Sequence, residues 1–138
     1  MKEERILAID YGTKRIGLAI TDPLKIFAIP FDTLPNDNST IPAIIKVINE
    51  KNVNQIILGY PVKESGEESS ISWLIIKFKK ELESKSGIEI QLVDERYSSD
   101  IASQKILESV KSKKKRRDKS LIDKSAAAVI LEEYLNSL

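Results

Sequence analysis

Apolar positions along this chain follow two periods, one of about two residues and one of three to four. The run Arg5-Ile6-Leu7-Ala8-Ile9-Asp10 is compact and apolar and closes on a carboxylate and a glycine-containing turn, which predicts a first strand. Beyond Tyr11-Gly12-Thr13-Lys14-Arg15, the alternation Ile16, Leu18, Ile20 predicts a second strand, antiparallel to the first. Phe27 to Leu34 reads as a third strand, and Pro30 argues for an edge or irregular segment there. Asn36-Asp37-Asn38-Ser39 is a turn and helix-start signal, and Ile41, Ile44, Ile45 and Ile48 follow at helical spacing.

In the second half, Gln55-Ile56-Ile57-Leu58-Gly59 reads as a short buried strand running into the loop at Tyr60-Pro61. Residues 62–68 are polar, contain Gly66 and read as a flexible connection. Ile71, Ile75, Phe78 and Leu82 form the stripe of a second helix that stops at Gly87. Ile88 to Asp94 alternates as a strand does. A further helix carries Ala102, Ile106 and Val110, and a last one carries Ile122, Ala126, Val129 and Ile130. The predicted order is βββαβαβα, or four helices when the segment around Ile106 is counted. Three consecutive strands followed by alternating helices and strands describe an α/β fold, a mixed sheet with helices on its faces. No repeat appears, and residues 1–138 read as a single domain.

Composition narrows the chemistry. The 138 residues contain no cysteine, which excludes disulfides, thiolate-bound zinc and thiol catalysis. They contain no histidine either, so catalysis falls to carboxylates, Lys, Tyr, Ser or Thr, or a bound metal. Hydrophobic residues at 41% and charged residues at 31% describe an ordinary globular domain. With no secretion-type leader and no long apolar span, the expected location is the cytoplasm and no membrane partner is expected. A net charge of +1 makes no global case for nucleic-acid binding. The distribution does: Lys111, Lys113, Lys114, Lys115, Arg116, Arg117 and Lys119 share a nine-residue window with one acid, Asp118. Such a segment suits a phosphate backbone, and binding through it weakens steeply with salt.

The acids stand where α/β sheets hold ligands, beyond the carboxyl ends of strands. Asp10 ends the first strand, and Asp94-Glu95 end the strand that begins at Ile88. Asp123 shares a helical stripe with Ala127, Ile130 and Tyr134, and Ala126-Ala127-Ala128 permits close approach of that helix to the sheet. Singly, each acid has an ordinary role: a turn former, a strand-end charge, or a helix-dipole partner worth about 0.3–1 kcal/mol. Jointly they form an oxygen-only donor set that suits Mg²⁺ or Mn²⁺ rather than Zn²⁺. Strand alternation alone leaves open which of Asp94 and Glu95 faces the site.

Four blocks carry a family resemblance. Asp10-Tyr11-Gly12-Thr13-Lys14-Arg15-Ile16-Gly17-Leu18-Ala19 is similar to the opening motif of the YqgF/RuvX family of RNase H-like nucleases. Ile56-Ile57-Leu58-Gly59-Tyr60-Pro61 resembles its second block, and Asp94-Glu95-Arg96-Tyr97-Ser98-Ser99 its third. Lys113 to Arg117, followed by Ile122-Asp123-Lys124-Ser125-Ala126-Ala127, resembles the fourth. The blocks stand in family order over essentially the whole chain. Tyr60, where Leu is more usual, and Ser99, where Thr is, depart from the pattern without removing a carboxylate.

The resemblance implies an RNase H-like, Holliday-junction-resolvase-like fold with a five-stranded mixed sheet. It also implies metal-binding, catalytic roles for Asp10, Glu95 and Asp123, one or two Mg²⁺ or Mn²⁺ ions, and cleavage at the 5′ end of pre-16S rRNA during ribosome biogenesis. Lys14, Arg15, Arg96, Lys113, Lys114, Lys115, Arg116 and Arg117 are the expected substrate contacts, and Tyr11, Tyr60 and Tyr97 are candidates to stack on unpaired bases. The expected assembly is a monomer or weak homodimer. Rival expectations are a resolvase cutting four-way DNA junctions and a non-catalytic rRNA-binding assembly factor. An ATPase of the sugar-kinase and Hsp70 type shares the Asp-x-Gly-Thr opening, but it clamps nucleotide between two such domains, and this chain supplies one.

Overall fold

A computed structural model describes residues 4–60, 71–94 and 119–138, with the side chains of the last segment described from Ala126 onward. Strands β1 (Arg5–Tyr11), β2 (Arg15–Thr21) and β3 (Ala28–Pro35) come first. They are followed by α1 (Thr40–Glu50), β4 (Val53–Tyr60), α2 (Ser72–Ser86), β5 (Ile90–Asp94) and α3 (Lys119–Asn136). The sheet order is β3-β2-β1-β4-β5. β1–β2 and β2–β3 pair antiparallel, whereas β1–β4 and β4–β5 pair parallel. The predicted mixed five-stranded sheet is therefore observed. The connection at 62–68, the helix around Ile106, and the basic segment apart from Lys119 in α3 lie outside the described residues.

Pro30 lies on the edge strand, next to an irregularity in the ladder. Leu18 pairs with Asp32 but Ala19 with Pro30, so Phe31 is the extra residue of a bulge. β5 starts two residues later than the alternation suggests. The amides of Ile88 and Ile90 donate to Ser86 Oγ at 3.1 Å and Glu83 Oε2 at 2.9 Å, so the end of α2, not β4, receives them. Gly87 ends α2 at φ +72°, the left-handed conformation that releases the chain from the helix.

Strand alternation divides the core in two. Leu7, Ile9, Leu18, Ile56 and Leu58 face α1 and α2, meeting Ile44, Ile48, Ile75, Phe78 and Leu82. Ile6, Ala8, Ala19 and Ile57 face α3, meeting Ala127, Ile130 and Leu131. Ala127, Ile130 and Tyr134, predicted to share one stripe, do pack toward the sheet. Tyr134 ties α3 down: its hydroxyl accepts from Gln55 Nε2 and donates to Gln91 Oε1 at 3.3 Å.

Candidate active site

Asp10 is the penultimate residue of β1 and is half-buried. It has the parity of Ile6 and Ala8, so it belongs to the α3 face. Its partner on β2 is Gly17. On the other side, continuing the β1–β4 ladder one step past Ile9–Leu58 brings Asp10 level with Gly59. Gly17 pairs onward with Thr33 and Gly59 with Val93, so the row across the sheet reads Thr33, Gly17, Asp10, Gly59, Val93. The carboxylate thus has no side chain beside it on either neighbouring strand, at the strand spacing of about 4.8 Å. A β-carbon at either glycine would fill the ground next to it. Mid-strand glycine weakens a sheet, and one of its uses is to let another group come close. In the sequence, the signal for both positions is that cost: a glycine inside an otherwise apolar strand.

The turn after Asp10 carries Thr13, Lys14 and Arg15, with Lys14 exposed and Arg15 half-buried. A β-carbon on Gly12 would stand 2.5 Å from the Arg15 carbonyl oxygen, so only glycine fits this tight turn. Asn36 braces it twice: its Nδ2 donates to the Gly12 carbonyl at 2.8 Å and its amide to the Lys14 carbonyl at 3.0 Å. Nothing in the sequence distinguished Asn36 from an ordinary turn former.

Of the predicted site residues, Asp10, Lys14 and Arg15 are thus brought to one end of the sheet. Asp123 belongs to α3, four residues ahead of Ala127, and its side chain is outside the described part. Glu95, Arg96 and Lys113, Lys114, Lys115, Arg116 and Arg117 also lie outside the described residues. Asp94 is exposed at the end of β5, level with Tyr60. It has the parity of Ile90 and Leu92, which pack on the α1–α2 side, and so differs from Asp10 in sheet face. As part of an outer strand it also borders a shallow hollow beside Ile130 and Tyr134. Among the described residues no group of three or more His, Cys, Asp or Glu side chains is placed to hold a metal ion. Among them, too, no helix is long and apolar enough to cross a membrane.

The model of the RuvX family, described as Holliday junction resolvase, matches residues 4–137. The chain belongs to the RuvX family. Several relatives of this chain bear the name "Putative pre-16S rRNA nuclease". That of Chlorobaculum tepidum is 38% identical over 97% of this chain and 94% of its own length. That of Porphyromonas gingivalis is 41% identical over 96% of each. Membership makes the chain an enzyme of a nuclease family. Two solved structures share the fold. Thermus thermophilus RuvC in complex with a Holliday junction substrate superimposes at a TM-score of 0.60, with 10% identity, over 97% of this chain and 94% of that one. The fowlpox virus resolvase with Holliday junction DNA does so at 0.57, with 19% identity, over 96% and 97%. The RuvX chain therefore has the resolvase-type, RNase H-like architecture expected from its motifs.

Proposed function

We propose that this RuvX-family protein is a divalent-metal-dependent endonuclease that hydrolyses phosphodiester bonds in the 5′-end maturation of pre-16S rRNA in the cytoplasm. The observation that carries this reading is Asp10 at the carboxyl end of a parallel strand pair, flanked on its own face by Gly17 and Gly59. Glycine on both neighbouring strands keeps their side chains away from this carboxylate, an arrangement that suits approach of a cation and a phosphate oxygen from the strand ends. Asp10, Glu95 and Asp123 are the residues that would hold one or two Mg²⁺ or Mn²⁺ ions. The donor chemistry fits: with no histidine or cysteine in the chain, its anionic protein ligands are hard oxygens. A bound divalent ion supplies an acidified water and stabilises charge on the attacking and leaving oxygens.

Two features support the other two acids. Asp94 falls on the wrong parity to join Asp10, which favours its neighbour Glu95 in the sequence. Ala127 and Ile130 seat α3 on the sheet, and Asp123 precedes them at helical spacing. Lys14 and Arg15, on a turn held rigid by Gly12 and Asn36, are assigned to the substrate's phosphates, together with Arg96 and the Lys113–Arg117 segment. The protein works as a monomer or weak homodimer in this reading. A second reading, resolution of four-way DNA junctions, has one specific support, the family's own description.

The deciding experiment compares wild type with Asp10→Ala on a pre-16S rRNA 5′ flank and on a four-way DNA junction, with Mg²⁺ and with EDTA. Mg²⁺-dependent cleavage of the RNA by wild type alone is the expected result. Cleavage of the junction alone selects the second reading. Equal cleavage by both proteins overturns the assignment of Asp10, and cleavage by neither favours a binding role in ribosome assembly.

A further inference from the structure

On the sheet face opposite Asp10, the end of β1 opens into a groove of about 490 Å³ between α1 and α2. Its inner wall is Tyr11, the residue after Asp10, half-buried and braced by the Phe78 ring at 5.2 Å between centroids with 57° between planes. Ile41, Pro42 and Leu74 add apolar surface. The rim is polar and fixed. Asp37 accepts from the amide and hydroxyl of Ser39, and Thr40 Oγ1 accepts from the Asp37 amide at 2.9 Å and donates to the Pro35 carbonyl. The groove is not separate from the turn after Asp10, because Asn36 both lines it and braces that turn.

Charge and polarity in the groove leave specific groups unused. Glu81 is paired with Lys85 at 3.6 Å. The bonds from Ser39 hold the Asp37 carboxyl below its ordinary pKa, so it stays an engaged anion. Lys77 forms no ion pair among the described residues, and neither the Tyr11 hydroxyl nor the Asn38 amide has a hydrogen-bond partner among them. Two acids and two lysines leave the groove neutral as a whole, but its charges are spread along the rim: an aromatic and apolar wall, a hydroxyl and an amide without partners among the described residues, and the exposed Lys77 ammonium form a set that matches base, base edge and phosphate.

We infer that this groove takes an unpaired nucleotide of the nucleic-acid substrate, carried over the end of β1 from the phosphate at Asp10. The volume suits one nucleotide, within the range of about 300–1,000 Å³ for small-ligand sites. Asp10 and Tyr11 are adjacent in the chain but on opposite faces, so a strand crossing the Gly12 turn passes from one to the other. A rigid duplex cannot make that crossing, which makes a single-stranded flank the preferred substrate. The inference rests on the nuclease reading for the direction of the strand, not for the groove itself.

The test is equilibrium binding to the full chain in EDTA, where metal-dependent cleavage is off. The probes are a short RNA duplex with flush ends and the same duplex with a single-stranded tail carrying 2-aminopurine at successive positions. Stacking of one base on an aromatic wall predicts about tenfold tighter binding of the tailed probe. It also predicts quenching at one or two tail positions. Lys77→Glu, at an exposed site, is expected to remove most of the tail's advantage and leave flush-end affinity unchanged; Tyr11→Phe is expected to reduce the advantage about threefold. Equal binding of flush and tailed probes by wild type overturns the inference, as does Lys77→Glu weakening both probes alike. Tail-dependent binding without Mg²⁺-dependent cleavage sinks the nuclease reading and leaves the groove standing. Cleavage without tail dependence does the reverse.

Discussion

The two faces of the sheet are built from different side chains. The face toward α1 and α2 is filled by large residues: Ile9, Leu18, Ile44, Leu58, Ile75 and Leu82 are each fully buried there. The face toward α3 is lined by Ala8, Ala19 and Ala127 among a few larger groups, and it leads up to Asp10 between two glycines. Burying one large aliphatic side chain is worth about 1.5–3 kcal/mol, so the thick face supplies most of the stabilisation. An alanine buries little, but it lets a helix lie close to the strands. The thin face thus sets how near α3 approaches β1 and β2, at some cost in burial. Stability and site geometry are separated by a sheet one strand thick.

Substitutions on the two faces should therefore fail in different ways. Asp10→Asn keeps the shape and removes the charge; cleavage should fall by about 10³-fold while the urea midpoint stays within error of wild type. A midpoint that moved with activity would mean that Asp10 holds the fold. On the thick face, Leu82→Ala should cost about 3 kcal/mol in urea unfolding, from lost burial and the cavity left behind. At low temperature, where the protein remains folded, its cleavage rate should match wild type. Ala127→Leu should do the opposite: overpacking costs about 2 kcal/mol, but lifting α3 by even about 1 Å should slow cleavage about 100-fold. Equal losses of activity in these two variants would abolish the distinction between the faces.

The smallest effect belongs to Glu83, the staple between α2 and β5. Its carboxylate accepts from the Ile90 amide at 2.9 Å and from Lys79 Nζ at 3.1 Å, and the first of these bonds chiefly holds its pKa below the ordinary 4.5. A lowered folded-state pKa means that its stabilisation is complete above the unfolded value near 4.5 and is lost as pH falls through the folded one. Glu83→Gln should reduce stability by about 1 kcal/mol at neutral pH. The difference from wild type should shrink as the pH is lowered below about 4.5 in a pH series of urea titrations. A constant difference would locate the effect in packing instead.

Most of the thick face was legible from period alone. The i, i+3, i+4, i+7 spacing of Ile41, Ile44, Ile45 and Ile48, and the stripe from Ile71 to Leu82 ending at Gly87, required only that large apolar groups leave water. Strand ends were less legible. Ile88 and Glu89 alternate like a strand, yet their segment bonds to the end of α2, because Ser86 and Glu83 offer acceptors that alternation does not reveal. The thin face was hardest to read. Three alanines in a row signal close packing but do not say against what, and Gly17 and Gly59 stand 42 positions apart in the chain.

The sequence by itself determined the order of the described elements, the absence of thiol and imidazole chemistry, and the family, because these depend on residue types and their local spacing. Tertiary structure alone decided that two distant glycines flank Asp10, that Asp94 has the opposite parity, and that Tyr11 backs a groove on the far side of the sheet. Those relations are set by register between strands, a property of pairs of segments that one segment's pattern does not contain.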